Sequence, residues 1–519
     1  MRKFKNENTY INFQKKGKLD LYNELYEKAL TEVKTLFGKE YPNIINGEEV
    51  IEYKKFDDIT PIDGETVIGK FQLASPESLN KAIESSKKGY KDWYRMGYVK
   101  RANIFLRAAD TMSKNKFFYA ALVSYENGKN RHESLGDVDE AIDFMRYYAL
   151  DLLNNKGYIR KTGQAYEGEI SKSVMKPFGV FAVLPPFNFF SITVGMISGA
   201  LVTGNAAIVK PSSDIPLSTY LYVKDLLSAG VPKNVVHYVA GSGSIVGKGL
   251  VEDERIDGTV FTGSRDVGMY IYRKTAEIKT RPVITEMGGK NAIIVTDKAD
   301  MNKAVEGVAR AAFGYDGQKC SACSRIYVHE KIEKEFTEKI IEFTKKLIVD
   351  DPTLRDTFMG PVINKEAFEK FKKYSDICRK DGKILYGGET LNRKGYYVMP
   401  TIVSGLNDDH EVMKTELFLP IVAIRPVKSL DEALYLTNRL DYGLTGGIFT
   451  EDKDEIEKYF DEIETGVVYA NRKRGGSTGA MVGSQPFVGW KMSGTTGKGT
   501  GSFYYLQQFL REQSQTVVE

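Results

Sequence analysis

The chain of 519 residues is poor in the side chains that most often carry enzyme chemistry: three cysteines, four histidines and two tryptophans. Three thiols cannot build a disulfide framework, and unpaired thiols fit a reducing compartment, so a cytoplasmic location is expected. The histidines (His132, His237, His329 and His410) stand far apart without metal-ligand spacing, so no metal is expected. Neither sign of charge prevails, since 73 Lys and Arg face 69 Asp and Glu for a net charge of +4. Over this length that gives no strong field, which argues against a nucleic-acid partner. The N-terminal MRKFKNENTYINFQKKGK holds no apolar h-region, so no secretory signal is expected. One uncharged run, Pro177 to Val209, is long enough to cross a bilayer. Pro185, Pro186, Asn188 and several Gly, Ser and Thr within it speak against a span. The run divides more naturally into a strand (GVFAVL), a loop (PPFNFF), a helix (SITVGMISGALVTG) and a strand (AAIVK). No membrane partner is expected.

What remains is an ordinary globular composition, 42% hydrophobic and 27% charged, in a chain long enough for roughly two to four domains. Residues 1–40 are charged and helical in pattern (LDLYNELYEKALTEVKTLFG), with Gly38 a C-cap candidate. Short strands broken by Asn-Gly and Asp-Gly follow from Asn43, then a helical region from about Ser75 to Leu153. GYIRKTGQAYEGEISKSVMKP alternates and is mostly polar, as in an exposed hairpin or arm. The segments GVFAVL, AAIVK, VVHYVA, GTVFTG and PVITEMGG then alternate with helical stretches, the signature of a doubly wound parallel sheet. A second α/β series starts near Asn291, with Asp300 an N-cap candidate. The terminal EQSQTVVE reads as a strand without a local partner, of the kind that pairs with another subunit.

Several motifs could carry chemistry. Gly241-Ser-Gly243-Ser-Ile-Val-Gly247 follows an apolar strand and resembles a dinucleotide loop with one extra residue; a simple tight turn is the alternative. Phe261-Thr-Gly263-Ser264 is a second strand-to-helix turn, where backbone N–H groups and a hydroxyl suit a phosphate. Cys320 and Cys323 form a CxxC pair. One pair cannot close a zinc site, so a redox disulfide, buried thiols and a nucleophile remain open for it. For a nucleophile, Cys320 sits on a Gly-containing loop, and Lys319 beside it would favour the thiolate. Glu286 ends an apolar strand, where α/β enzymes place working carboxylates, although a solvated loop acid fits the same pattern. Asn188 lies in apolar surroundings and needs hydrogen-bond partners, or else faces a developing oxyanion.

The segments PPFNFF, IVKPSS, FTGSRDVG, TEMGGK, GQKCSACSR and TELFLP occur in an order and spacing that resemble the NAD(P)-dependent aldehyde dehydrogenase superfamily, from about Tyr41 to the terminal strand. Within it, Gly317-Gln-Lys-Cys-Ser-Ala-Cys323-Ser-Arg325, PFNF, and Asn471-Arg-Lys followed by Ser477-Thr-Gly479-Ala480 resemble the branch that oxidises glutamate γ-semialdehyde. The resemblance implies an α/β fold with a Rossmann-type NAD(P)-binding domain (1–157 and 177–287) and an α/β catalytic domain (288–485). It also implies an oligomerisation arm and C-terminal strand (158–176 and 486–519), hence a homo-oligomer. It makes Cys320 the nucleophile, Asn188 with the Cys320 N–H the oxyanion hole, and Glu286 the base. Lys210 would contact the adenosine ribose, Gly263 and Ser264 the pyrophosphate, and Glu416 and Phe418 the nicotinamide ribose. Ser321, Gly479 and Ala480 would anchor the α-carboxylate of an amino-acid semialdehyde. Phe187 and Phe487 would sandwich its aliphatic part, and Glu140 would line its tunnel. Ser213 stands where many NAD-specific members carry an acid, so use of NADP besides NAD is plausible. Val488 and Leu419 also depart from the family pattern and bear on the substrate. Rival readings are a dehydrogenase for another semialdehyde or small aldehyde, a CoA-acylating enzyme and an inactive scaffold.

Overall fold

The computed structural model describes residues 3–473 and 482–519. Its first sheet has seven strands in the spatial order Val283–Met287, Gly258–Gly263, Val180–Leu184, Ala206–Val209, Val236–Tyr238, Asn43–Ile45 and Glu48–Val50. The first five are parallel, and the last two join antiparallel through the Asn46-Gly47 turn. Both turn residues have positive φ (55° and 73°), the conformation a two-residue hairpin demands and that Asn-Gly supplies. Val180–Leu184 and Ala206–Val209 are buried along their whole length, which explains their continuous apolar sequence. Val180–Leu184 is flanked by a strand that follows it directly on one side and by Gly258–Gly263 on the other. The chain therefore reverses its direction of progress there, and the loops leaving the carboxyl ends of these strands border a crevice.

The second sheet also has seven strands, Lys383–Tyr386, Thr401–Ser404, Ile421–Val427, Cys323–His329, Asn291–Val295, Thr445–Phe449 and Val467–Ala470, all parallel except the first. Alternate residues enter cores on its two faces, Ala292 and Ile294 on one and Ile293 and Val295 on the other. The carboxyl edge of the first sheet meets the amino edge of the second where Val283–Met287 runs through Gly288–Lys290 into Asn291–Val295. That seam is where the candidate residues collect.

Four helices, Pro76–Arg95, Tyr98–Lys114, Lys116–Asn127 and Arg131–Asn154, fill the expected helical region. The N-terminal helix stops at Val33 rather than running to Gly38. One 3₁₀ turn, Lys34–Leu36, intervenes, and Gly38 (φ 70°) turns the chain into strand Lys39–Tyr41. The terminal strand corrects an expectation more sharply. Leu510–Val518 pairs antiparallel with Glu169–Pro177 of its own chain over nine residues, so it has a local partner in space. Its partner lies more than 300 residues upstream, as the Ser171–Thr516 hydrogen bond illustrates, and no local pattern announces such a pairing. Ile159–Lys161 completes this three-stranded arm sheet.

Helix Phe190–Val202 is almost wholly buried, so its terminal carbonyls need partners from elsewhere. Trp93 Nε1 donates to Leu201 O at 2.7 Å, and Arg101 Nε donates to Val202 O at 2.9 Å while its NH1 donates to Tyr94 O at 2.8 Å. Arg101 is buried, and desolvation pulls its guanidinium down to about 10. Arg101→Met removes these charged donors and leaves the buried Val202 carbonyl without its partner. It is expected to cost about 2–3 kcal/mol, read as a lower midpoint in thermal unfolding; an unchanged midpoint contradicts this capping role.

Candidate active site

Strand Val180–Leu184 ends at Pro185-Pro186, whose fixed φ extends the chain toward Asn188. Asn188 is only 4% exposed. Its Nδ2 donates one hydrogen to Gln318 O at 3.0 Å, which ties this loop to the cysteine loop and leaves a second hydrogen unspent. The cysteine loop is wound tightly: Tyr315, Asp316 and Gly317 all adopt positive φ (48°, 56° and 66°). A Cβ on Gly317 would stand 2.4 Å from Leu419 O, so only glycine fits. Cys320 follows, half-buried, with its carbonyl accepting from Asn291 Nδ2 at 2.7 Å. Burial first, then the charges of Glu416 and Glu286, push its thiol upward, while the N–H groups of Ser321 and Cys320 oppose them. The expected help from Lys319 is not there. Its ammonium binds Glu133 Oε1 at 2.5 Å, and the thiol is held in its neutral form.

Glu286 lies on strand Val283–Met287, bridged to Gly494. Burial pushes its carboxyl well above the usual range against a hydrogen bond from the Gly489 backbone, and Oε2 has no partner among the described residues. Glu416 accepts from Gly289 N at 2.9 Å. A Cβ on Gly288 would overlap Glu416 Oε2 at 1.8 Å, so the bare backbone of Gly288 admits this carboxylate. Burial raises Glu416 to about 7, with the Gly289 N–H, Lys290 and Lys370 opposing. Phe418 has φ 59° and meets Phe187 edge-on at 5.7 Å between ring centroids. Cys320, Asn188, Glu286, Glu416, Phe187 and Phe418 thus converge on one seam.

Along the same sheet edge, Lys210 follows strand Ala206–Val209. It is pulled by desolvation down to about 8, with its Nζ donating to Pro211 O at 2.8 Å. The Gly241–Gly247 segment packs beside it: a Cβ on Gly247 would contact Lys210 Cδ at 3.7 Å. Ser213 is exposed in the next turn. Gly263 ends its strand, and Ser264 is the exposed N-cap of helix Arg265–Ile278 with its hydroxyl unused as a cap. The N–H groups of that helix start and the free hydroxyl face outward as an anion would require.

The substrate candidates are less uniform. Ser321 is fully buried, and its Oγ has no partner among the described residues. Glu140 accepts from Ser191 Oγ at 2.9 Å, and burial, then the Asp137 charge, raise it to about 8. Phe487 is half-buried and bridged to Thr500, two residues before Gly489. Gly479 and Ala480 lie outside the described residues. Cys323 and Cys378 are buried free thiols, with Cys323 Sγ donating to Arg325 O at 3.4 Å. Four further buried groups near the seam, Lys129, Asp137, Asp316 and Lys290, carry no signal in the sequence. A Lys or Asp inside GYDGQK or TEMGGK looks like any loop charge there; only the three-dimensional packing buries it.

Comparison with known proteins bears on this arrangement. The model of a family described as the aldehyde dehydrogenase family matches residues 49–515. A 1-pyrroline-5-carboxylate dehydrogenase of Staphylococcus haemolyticus is 40% identical over 499 residues, spanning 94% of this chain and 95% of that protein. 1-Pyrroline-5-carboxylate dehydrogenase 2 of Bacillus subtilis is 38% identical over 517 residues, spanning 98% of each. The crystal structure of 1-pyrroline-5-carboxylate dehydrogenase from Thermus with bound NAD superposes with a TM-score of 0.95 at 34% identity, covering all of both chains.

Asp316 yields a test of how the cysteine loop is built. Both its carboxyl oxygens are buried without partners among the described residues, and burial, then Glu133, hold it well above its ordinary 3.8. A group raised in the folded state contributes stability that is complete in acid, below 3.8, and lost as pH rises through the raised value. Asp316→Asn removes that loss and tolerates the left-handed backbone. Its unfolding midpoint is expected to exceed that of the parent near pH 8, with the gain narrowing toward about pH 5. A variant less stable than the parent near pH 8 contradicts this.

Proposed function

The chain belongs to the aldehyde dehydrogenase family, and from that premise we propose that it oxidises L-glutamate γ-semialdehyde, the open form of 1-pyrroline-5-carboxylate, to L-glutamate. The observation that carries the reading is the convergence of a thiol, an amide with a free hydrogen and a carboxyl with a free oxygen on one seam. The full-length similarity to 1-pyrroline-5-carboxylate dehydrogenases supports the choice of substrate.

The residues fit NAD by their donor chemistry. The helix start at Ser264 and Gly263 suits a pyrophosphate, Lys210 an adenosine ribose, and Glu416 with Phe418 the nicotinamide ribose. NAD bound there supplies the acceptor for the aldehyde hydrogen and its electron pair. The chain supplies the rest. Cys320 gives its thiol proton to water, and its sulfur bonds to the aldehyde carbon through the freed electron pair and makes it tetrahedral. The oxyanion meets the spare Asn188 hydrogen and the Cys320 N–H, donors already in place. Loss of the carbon-bound hydrogen leaves a thioester on Cys320. Ionised Glu286 then takes a proton from water, the water oxygen attacks the carbonyl, and the C–S bond breaks to free the carboxylate and the thiol. Because burial raises Glu286, its active, ionised form gains population as pH rises.

Ser321, with its unspent hydroxyl, and the segment of Gly479 and Ala480 anchor the α-carboxylate in this reading. Phe187 and Phe487 flank the methylenes, and Glu140 lines the approach. The same reading divides the chain into the NAD-binding portions 1–157 and 177–287 and the catalytic portion 288–485. It makes the arm sheet an interface with a second copy, supported by an outer edge of Leu510–Val518 unpaired among the described residues, with Val517 and Val518 exposed. A cytoplasmic location agrees with three free thiols, and no helix among the described residues is long and apolar enough to cross a membrane. The exposed Ser213, which brings no repelling carboxylate, also admits NADP.

Steady-state rates with glutamate γ-semialdehyde, succinate semialdehyde and a small aldehyde, each with NAD and NADP, test the substrate. The highest kcat/KM is expected for glutamate γ-semialdehyde, and a clear preference for another aldehyde overturns the proposal. Cys320→Ala is expected to abolish NAD reduction, and retained turnover removes Cys320 from its role. Glu286→Gln is expected to preserve the first burst of NADH but to slow turnover by about 100-fold and to flatten its rise with pH. Equal slowing of burst and turnover removes Glu286 as the hydrolytic base.

A further inference from the structure

Helix Phe190–Val202 starts two residues after Asn188, and its N-cap, Phe189, brings no side-chain acceptor. The N–H groups of Phe190 and Ser191 donate instead to the two carboxylate oxygens of Asp137, at 3.0 and 2.8 Å. Asp137 comes from helix Arg131–Asn154. Its Oδ2 also accepts from Lys129 Nζ at 2.6 Å, and both side chains are withdrawn from solvent (1% and 0% exposed). A buried ion pair is costly unless further bonds complete both partners. The helix start completes the carboxylate. Two aromatic faces complete the ammonium, with Lys129 Nζ 3.8 Å from the Phe189 ring centroid and 4.9 Å from that of Tyr315.

These two rings belong to the two halves of the site. Phe189 adjoins Asn188, and Tyr315 lies in the turn that leads to Cys320. Tyr315 O accepts from Gln318 N at 2.8 Å, and Gln318 O accepts from Asn188 Nδ2 at 3.0 Å. The contacts therefore close a ring from Lys129 through Phe189, Asn188, Gln318 and Tyr315 back to Lys129. The same corner adds Tyr315 OH donating to Asn127 O at 3.0 Å.

We propose that Lys129, locked by Asp137, is a positioning residue that fixes where the Asn188 amide stands relative to the Cys320 loop. The proposal rests on the reading of Asn188 as oxyanion donor. Lys129 touches neither substrate nor thiol in this role. It clamps the loop of one sheet to the turn of the other, so the amide waits where charge will develop. A donor displaced by about 1 Å forfeits much of its effect on the transition state.

The test is a double-mutant cycle on the full-length enzyme, read as the pre-steady-state rate of NADH formation with glutamate γ-semialdehyde. Lys129→Met is expected to slow the burst by about 10- to 100-fold. NAD affinity and the rate at which iodoacetamide alkylates Cys320 are expected to hold, since neither needs the oxyanion donor. The cost of Asn188→Ala is expected to shrink sharply in the Lys129→Met background, because the amide is already misplaced there. A normal burst in Asn188→Ala overturns the oxyanion reading, and the positioning claim with it. A costly Asn188→Ala whose effect is undiminished beside Lys129→Met, or a normal burst in Lys129→Met, overturns the positioning claim alone. Should Lys129→Met fail to fold, Asp137→Asn, which keeps an acceptor for the helix N–H groups, carries the same cycle with the same deciding outcomes.

Discussion

Burial is the strongest influence on the protonation of Cys320 and of the carboxyl groups that face it. Desolvation is the largest influence on the thiol, on Glu286 and on Glu416, and each is driven toward its neutral form. Glu140 and Asp316 respond in the same way at the margins. The carboxyl groups that crowd the site are thus disfavoured as anions relative to their state in water. In the proposed mechanism charge appears first on the sulfur and then on the aldehyde oxygen. In surroundings of low dielectric, fixed donors such as the Asn188 amide act more strongly on that charge than they would in water.

Such a site is expensive to build, and the fold explains how it stands. Two parallel sheets, each with a thick apolar core, meet edge to edge, so the seam needs no separate core. The glycines at 288 and 317 let backbone and carboxylate approach more closely than any side chain would permit. Helix Phe190–Val202 runs from the seam into the first core, with its polar ends satisfied by Trp93 and Arg101 at one end and Asp137 at the other. That helix ties the Asn188 loop to the close-packed first core.

Much of this is legible in the sequence. The uncharged run from Pro177 to Val209 resolves into the strand, loop, helix and strand that its Pro pair and small residues imply. Cys320, Asn188, Glu286 and Glu416, drawn from short motifs far apart in the chain, meet on one seam. Contacts between distant segments are not legible in the same way. Lys319 stands beside Cys320 in sequence, yet its charge is spent on Glu133, nearly two hundred residues away. The terminal strand finds its partner in the arm rather than lacking one locally. Lys129 and Asp137 form an i,i+8 pair whose burial depends on Phe189 and Tyr315, side chains no local pattern brings together.

The central claim is that Cys320 carries the acyl group and Glu286 releases it. Mass spectrometry of Glu286→Gln, quenched in acid after mixing with glutamate γ-semialdehyde and NAD, tests this most directly. A glutamyl thioester is predicted on the peptide that carries Cys320, placed on Cys320 rather than Cys323 by fragmentation. An unmodified Cys320 under conditions where NADH has formed would contradict it.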